Sequence, residues 1–191
     1  MARPIEYNRE EVIRKTMHLF WERGYEATSI QDIVKETGLK PGSIYNIFGN
    51  KEGIFETVLD LYTKESLNAV EKILETDQSY IEKIKTFLNE IVLTTIANEK
   101  TNGCLLVKTL LVVSHKDAKI QEHIVAFFNK VETLLKKLLE EAHQKEETSV
   151  DPENFSRFII SNIYGSHVYY KASRNENALR KNIELVVKLL K

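Results

Sequence analysis

The segment formed by residues 37–51 contains two lysines, Lys40 and Lys51, and no acidic residue. The whole chain carries 27 lysines and arginines against 28 aspartates and glutamates, a net charge of −1. A nearly neutral protein does not attract polyanions over its entire surface, so any binding to phosphate groups must be local. This acid-free segment, residues 37–51, is therefore the first candidate for such binding.

Other residue types that perform chemistry are scattered along the chain. The single cysteine, Cys104, excludes an intrachain disulfide and a multi-cysteine zinc site. The five histidines lack metal-ligand spacings and no HExxH motif occurs, so we expect no metal and no cofactor. No nucleophile elbow, glycine-rich phosphate loop or catalytic carboxylate pair stands out, and the sequence does not indicate an enzyme.

Cys104 follows a glycine and precedes an apolar helical segment. At a helix start, backbone amides and the helix dipole favour the reactive thiolate if the sulfur faces them. A cysteine in apolar surroundings is alternatively a small buried hydrophobic residue. We favour the buried role and keep a sensor role for Cys104 as a second hypothesis.

Composition and hydrophobic spacing predict an all-α protein that remains in the cytoplasm. The 191 residues are 42% hydrophobic and 29% charged, enough to bury a core. Apolar residues recur with helical spacing and few segments alternate, which predicts about nine helices. No apolar run is long enough to span a membrane and no secretory signal begins the chain, so we expect no membrane partner.

The predicted helices fall into two groups. Three short helices occupy the first fifty residues, with caps at Asn8 and at Thr28, whose box partner is Gln31, and with Pro41 at the first position of the third. Asn50 then caps a longer helix that ends near Leu74. Five further helical segments are predicted, with a surface loop at 145–153: 80–97, 104–113, 117–144, 151–170 and 175–190.

Two of the short helices, residues 28–36 and 41–48, are joined by a turn of three or four residues that contains Gly38, the pattern of a helix-turn-helix. The run ATSIQDIVKETGLKPGSIYNIFGNKEGIF, residues 27–55, resembles the DNA-binding signature of the TetR family of bacterial transcriptional regulators. The resemblance covers residues 9–59. It implies an N-terminal DNA-binding domain, residues 1–48, and a C-terminal helical domain for effector binding and dimerisation, residues 49–191.

The resemblance also implies which residues contact double-stranded operator DNA. Tyr45 and Lys51 match family residues that face phosphates, and Thr28 resembles a hydroxyl residue that holds a phosphate together with nearby amides. The family often has Ser or Thr at position 40 and Lys at 41, so the side-chain cap is absent here and Lys40 is left to contact either phosphate or base. The predicted DNA-contact residues are Thr28, Lys40, Pro41, Gly42, Ser43, Tyr45, Asn46 and Lys51.

For the remainder of the chain, the resemblance implies a homodimer formed through the last two helices and a small-molecule effector. The apolar composition of two helices predicts a partly apolar effector, bound by Phe87, Leu88, Ile91, Leu106, Leu110 and Val113. Some family members sense electrophiles or oxidants through a cysteine, and a subset has a similar Gly-Cys-Leu-Leu stretch, which bears on Cys104. The predicted function is a ligand-responsive repressor released from a palindromic operator; the alternatives are a helical small-molecule or electrophile sensor whose DNA-binding domain is weak or inactive, and a small helical enzyme.

Overall fold

The structure, a computed structural model, describes residues 8–97, 103–112 and 117–190. These residues form nine α-helices and no strand, which confirms the all-α prediction. The helices are α1 Arg9–Arg23, α2 Ile30–Thr37, α3 Pro41–Phe48, α4 Lys51–Leu74, α5 Tyr80–Ile96, α6 Leu105–Leu110, α7 Ala118–Gln144, α8 Pro152–Ser173 and α9 Glu176–Lys188.

The chain divides into two compact units, Met1–Glu65 and Ser66–Lys191. The first part of α4 belongs to the first unit because its apolar residues complete that unit's core. Phe55 is fully buried, and its ring packs edge-on against Phe20 of α1 with centroids 4.8 Å apart. The predicted division after residue 48 concerned function and stays a prediction.

Side-chain caps fix the ends of the short helices in the first unit. Asn8 accepts hydrogen bonds from the amides of Glu10 and Glu11, as its predicted capping role requires. The capping box of α2, however, is formed by Ser29 and Asp32, so the prediction that Thr28 caps this helix is wrong. Gly38 ends α2 with φ of 74°, a left-handed conformation that favours glycine.

The junction between α3 and α4 is closely packed. Asn50 accepts a hydrogen bond from the amide of Gly53 at 2.8 Å, which confirms its predicted role at the start of α4. A Cβ atom on Gly53 would lie 2.1 Å from the carbonyl oxygen of Phe48, the last residue of α3. Only glycine allows the backbones of the two helices to approach this closely.

In the second unit, α5, α7, α8 and α9 share a core that includes Ile84, Leu88, Leu139 and Ile159, all fully buried. The predicted surface loop between α7 and α8 ties two other helices to this core. Glu147 accepts a hydrogen bond from the Ile81 amide at the start of α5, and the buried hydroxyl of Thr148 donates to the carbonyl of Leu190 after α9.

Candidate nucleic-acid interface

Helix α3 is anchored by two apolar side chains and presents polar residues to solvent. Ile44 is fully buried and Phe48 is 8% exposed, whereas Tyr45 is 51% exposed. Ile44 and Phe48 are four residues apart and lie on one face, so Gly42, Ser43, Tyr45 and Asn46 lie on the others, whereas Pro41 is on the side of Ile44 in the first turn. The predicted contact residues of α3 that are exposed or half-buried, besides Tyr45, are Pro41, Gly42, Ser43 and Asn46.

The N-terminus of α3 lacks a side-chain cap. Lys40 is the N-cap residue, is exposed, and makes no capping hydrogen bond, while Pro41 occupies the first helical position. The Lys40 carbonyl accepts hydrogen bonds from the amides of Ser43 and Ile44, and Gly42 in the same turn is exposed. A Cβ on Gly42 would meet nothing within 4 Å, so packing within the chain does not require glycine there.

Lys51, at the start of α4, is held against the turn between α1 and α2. Its ammonium donates to the carbonyl of Glu26 at 3.2 Å and lies 4.5 Å from the centre of the Tyr25 ring. Tyr25 in turn packs against Phe55, with ring centroids 4.6 Å apart. Neither the carbonyl nor the aromatic face carries a formal negative charge, so both position the ammonium without forming an ion pair with it.

Thr28 is placed differently from the other predicted contact residues. It is fully buried, and its hydroxyl donates to the carbonyl of Gly24 at 2.8 Å. This placement argues against a phosphate contact by the Thr28 hydroxyl. Sequence reasoning placed the capping box one residue too early, because both T-x-x-Q at 28–31 and S-x-x-D at 29–32 fit the pattern.

The acidic side chain of Asp32, in the first turn of α2, is engaged by Ser29 and Arg23. The carboxylate of Asp32 accepts hydrogen bonds from the amide and the hydroxyl of Ser29. It also forms an ion pair with Arg23, at 2.8 Å. These contacts, with the Ser29 bonds contributing most, lower the pKa of Asp32, and its charge is paired with that of Arg23. Asp32 therefore opposes an approaching phosphate only weakly.

Two family models match the chain, one in its N-terminal part and one in its C-terminal part. The model described as bacterial regulatory proteins, tetR family, matches residues 12–58, and the model described as tetracyclin repressor-like, C-terminal domain, matches residues 81–186. The chain belongs to the tetR family of bacterial regulatory proteins. The first match covers α2, α3 and the beginning of α4, where the exposed polar residues lie.

Named relatives of this TetR-family chain include regulators from several bacteria. The transcriptional repressor ComR of Escherichia coli K12 is 49% identical over 61 residues, which are 32% of this chain and 29% of ComR. The repressor BdcR of the same organism is 27% identical over 134 residues, 70% of this chain and 66% of BdcR. Each alignment spans less than two thirds of the relative's length. An uncharacterised regulator of Lactococcus lactis is 27% identical over 93% of this chain and 90% of its own.

Solved structures share the fold of the TetR-family chain over nearly all of its length. A cysteine mutant of the TetR family regulator CifR, complexed with 26-bp operator DNA, superposes with a TM-score of 0.89 at 22% identity and covers 100% of both chains. The reduced form of E. coli NemR superposes with a TM-score of 0.87 at 19% identity, covering 96% of each chain. At these identities the similarity establishes the fold.

The predicted effector residues of the TetR-family chain do not share one environment. Phe87 and Leu88 belong to the core of the second unit, and Leu106 is fully buried. Ile91 packs partly buried against the same core, whereas Leu110 is 36% exposed. Val113 lies outside the described residues. The effector role of these residues stays a prediction.

Near the start of α6, the structure brings together polar groups that the sequence did not connect. Thr95 Oγ1 lies within hydrogen-bonding distance of the Ile91 carbonyl, at 2.6 Å, and of His167 Nδ1, at 3.1 Å. When the hydroxyl donates to the carbonyl, the imidazole donates to Thr95 through Nδ1. Burial lowers the pKa of His167 to about 4, which keeps the ring neutral at pH 7. Cys104 is the N-cap residue of α6, is half-buried, and makes no capping hydrogen bond.

Tyr164 of α8 completes this polar cluster. Its ring packs against Phe128 with centroids 4.3 Å apart, and its buried hydroxyl has no hydrogen-bond partner among the described residues. Burial first, and then the charges of Cys104 and Glu132, raise the pKa of the Tyr164 phenol well above its ordinary value. A buried hydroxyl without a partner is costly, and a bound ligand could satisfy it.

Helices α8 and α9 present large apolar side chains to solvent in the single chain. The most exposed are Tyr169 and Leu185, each 55% exposed, and Leu189, 48% exposed. Between the two helices, the side-chain amide of Asn182 donates to the Ser166 hydroxyl at 2.7 Å and to Oδ1 of Asn162 at 3.2 Å. This polar network links α9 to α8, while Tyr169, Leu185 and Leu189 stay exposed.

In the part of the chain that the structure describes, no group of three or more metal-ligating side chains is close enough to hold a metal ion. None of the described helices combines the length and apolar character that a membrane span requires.

Proposed function

We propose that the chain is a ligand-responsive transcriptional repressor that binds a palindromic operator as a homodimer. The observation that carries this proposal is the solvent-facing polar side of α3 within an acid-free segment, held by a rigid aromatic core. Residues 1–48 would carry the DNA contacts, and residues 49–191 would bind the effector and form the dimer. A dimer with two recognition helices fits a two-fold symmetric operator.

The proposed contacts divide into phosphate and base contacts. Tyr45 would donate its hydroxyl to a phosphate, and Lys51 would exchange the Glu26 carbonyl for a phosphate oxygen, a stronger charge-assisted partner. Asn46 can pair with adenine through two hydrogen bonds, with Ser43 beside it, and Lys40 can reach either group. Gly42 and Pro41 would let the backbone of α3 lie close to the DNA.

The experiment compares variants on an operator selected from random duplexes. Tyr45→Phe and Lys51→Ala should weaken binding without changing the preferred sequence, since both residues are assigned to phosphate. Asn46→Ala should relax the preference at one or two positions, at about 1–3 kcal/mol for the lost bidentate contact. Lys72→Ala, an exposed lysine in the last turn of α4, is the control and should bind like the wild type. Equal relaxation of sequence preference in all three variants would contradict the assignment.

The homodimer is supported by the outer face of α8 and α9. Exposed apolar surface of this kind is stabilised when a second copy covers it, and a two-fold interface uses the same surface on both chains. Leu185→Glu should therefore shift the protein from dimer to monomer in analytical ultracentrifugation. Leu93→Glu alters a leucine of similar exposure on α5, 47%, and should leave the dimer intact.

The effector is proposed to be small and partly apolar, and to reach the unsatisfied hydroxyl of Tyr164. A ligand that binds more tightly to the conformation with low operator affinity lowers the affinity for DNA. This decrease is at most the ratio of the ligand's affinities for the two conformations. Thermal-shift screening should find hydrophobic or aromatic compounds that stabilise the protein and release the operator. If only sugars or metal ions stabilise it, this part of the proposal fails.

A further inference from the structure

A groove of about 340 Å³ lies within the second unit, between the end of α4, the start of α5 and the second half of α7. Three leucines form an apolar floor: Leu74 and Leu134 are half-buried, and Leu138 is 9% exposed. An apolar body that covers this floor removes it from water, which is favourable. The volume lies at the lower end of the range for small-molecule sites and suits about ten to fifteen non-hydrogen atoms.

Two ammonium groups stand beside this floor. Lys83 donates to the carbonyl of Leu74 at 2.8 Å, and its ammonium lies 5.5 Å from the centre of the Tyr80 ring. Lys137 is exposed and makes no ion pair with any described residue. Its neighbour Lys136, by contrast, is paired with Glu153 at 2.7 Å. The groove therefore holds one cation that is bonded only to a neutral carbonyl and one that has no acidic partner.

Among the described residues that line the groove, Glu141 is the one acid. Its carboxylate faces the phenol of Tyr80, and this negative charge is the main cause that raises the pKa of Tyr80. With two ammonium groups and one carboxylate, the groove carries a net charge of one positive unit. Charge and floor together therefore match a molecule with one negative group and an apolar body.

We propose that this groove binds an amphipathic monocarboxylate. The carboxylate would lie between Lys83 and Lys137, and the apolar body would cover the three leucines beside the Tyr80 ring. This site goes beyond the proposed function, because none of the predicted effector residues lines it.

Binding there would change the final turn of α4. Lys83 now bonds to the carbonyl of Leu74, the last residue of that helix. A carboxylate is a stronger acceptor than a carbonyl for an ammonium, so the ligand competes for Lys83. The end of α4 would thus lose a side-chain bond when the groove is occupied.

The experiment measures binding of decanoate to the full-length protein without DNA by isothermal titration calorimetry, below the micelle concentration. Decanoate has twelve non-hydrogen atoms and one charge. We expect saturable binding of one molecule per chain, with decan-1-ol about tenfold weaker because it lacks the charge-assisted hydrogen bonds. Lys137→Ala should weaken decanoate binding about fivefold to tenfold, and Lys137→Glu should abolish it.

The matched control is Lys130→Ala. Lys130 is also exposed, lies on the same face of α7 two turns earlier, and is outside the groove. Its replacement should leave decanoate binding unchanged. Equal affinities for decanoate and decan-1-ol, or equal effects of the two alanine substitutions, would overturn the proposal. Because the titration needs no operator, its failure and a failure of DNA binding are observed separately.

Discussion

Gly53 controls how closely α4 approaches the end of α3. A Cβ at this position would lie 2.1 Å from the carbonyl oxygen of Phe48 and 3.3 Å from its carbonyl carbon. Both atoms belong to the backbone, so neither can rotate away as a side chain would. Gly53→Ala must therefore separate the two helices, and we expect it to displace the last turn of α3.

The magnitude follows from two opposing effects. Overpacking in a well-packed region costs typically about 1–3 kcal/mol, and a 2.1 Å contact with a backbone atom that cannot rotate away puts Gly53→Ala in the upper part of that range, at about 2–3 kcal/mol. Alanine in place of glycine within a helix recovers roughly 1 kcal/mol. We therefore expect Gly53→Ala to lower the free energy of unfolding of the first unit by about 1–2 kcal/mol. For a unit this small, with an m-value of about 1 kcal/mol/M, the urea midpoint falls by roughly 1–2 M.

Gly42→Ala is the matched control, because it places the same methyl group on α3 where nothing lies within 4 Å. The clash is absent and only the helix-propensity effect remains. The free energy of unfolding should therefore stay the same or rise by up to about 1 kcal/mol, and the urea midpoint should not fall. The two alanine variants thus have opposite expected signs.

Fluorescence of Trp21 follows this unit in urea. Trp21 is the only tryptophan of the chain, and its ring packs edge-on against Tyr62 with centroids 5.2 Å apart. Both residues lie in the first unit, so the signal reports its unfolding. A Gly53→Ala protein at least as stable as the wild type would refute the steric argument. A Gly42→Ala protein that is stable and binds operator normally would contradict the proposed contact of α3 with DNA.

Four further predictions concern salt, pH, a thiol and a buried hydroxyl. Four cations of each chain are expected to reach phosphates: the two lysines of the acid-free segment, Arg9, and Arg3, which lies outside the described residues. A dimer then neutralises at most about eight phosphates. The slope of log affinity against log salt should then be no steeper than roughly −7. Burial lowers the pKa of His167 to about 4, so the folded state disfavours the protonated ring. The free energy of unfolding should therefore decrease by up to about 3 kcal/mol as the pH falls from 6.5 toward 4. In urea titrations, His167→Gln should flatten this pH dependence. Cys104 should react slowly with a thiol reagent in the native protein, and Cys104→Ser should keep effector-induced release; fast labelling with loss of DNA binding in the wild type alone would reverse this judgement. Tyr164→Phe removes a buried hydroxyl that has no hydrogen-bond partner in the described part of the chain, and it should raise the free energy of unfolding by about 1 kcal/mol. A destabilised variant would reveal a partner for that group.

Helix positions could be predicted because their signals are local. Asn8, Gly38 and Asn50 each act within one turn of their own helix, and the sequence predicted their roles. The error at Thr28 is local as well: two overlapping capping patterns differ by one residue, and the aspartate at N3 accepts the Ser29 amide in the observed box. The exposed polar side of α3 likewise follows from the spacing of Ile44 and Phe48.

Contacts between distant segments could not be predicted in this way. The loop at 145–153 has the composition of a surface loop, yet Glu147 bonds to the first turn of α5, 66 residues earlier in the chain. No periodicity within a segment specifies such a partner. The close approach of Gly53 to Phe48 spans only five residues, but it depends on the angle between α3 and α4, which the sequence pattern does not specify either.

The effector region shows why hydrophobic composition alone does not locate a ligand site. Phe87, Leu88 and Leu106 fit an apolar pocket as well as they fit a packed core, because both environments exclude water. A buried polar group without a hydrogen-bond partner favours a ligand pocket over a packed core, because such a group costs stability unless a ligand bonds to it. Tyr164 carries such a group, and no spacing pattern in the sequence marks it. The search for the effector should therefore begin with molecules that accept a hydrogen bond from this phenol and cover apolar surface around it.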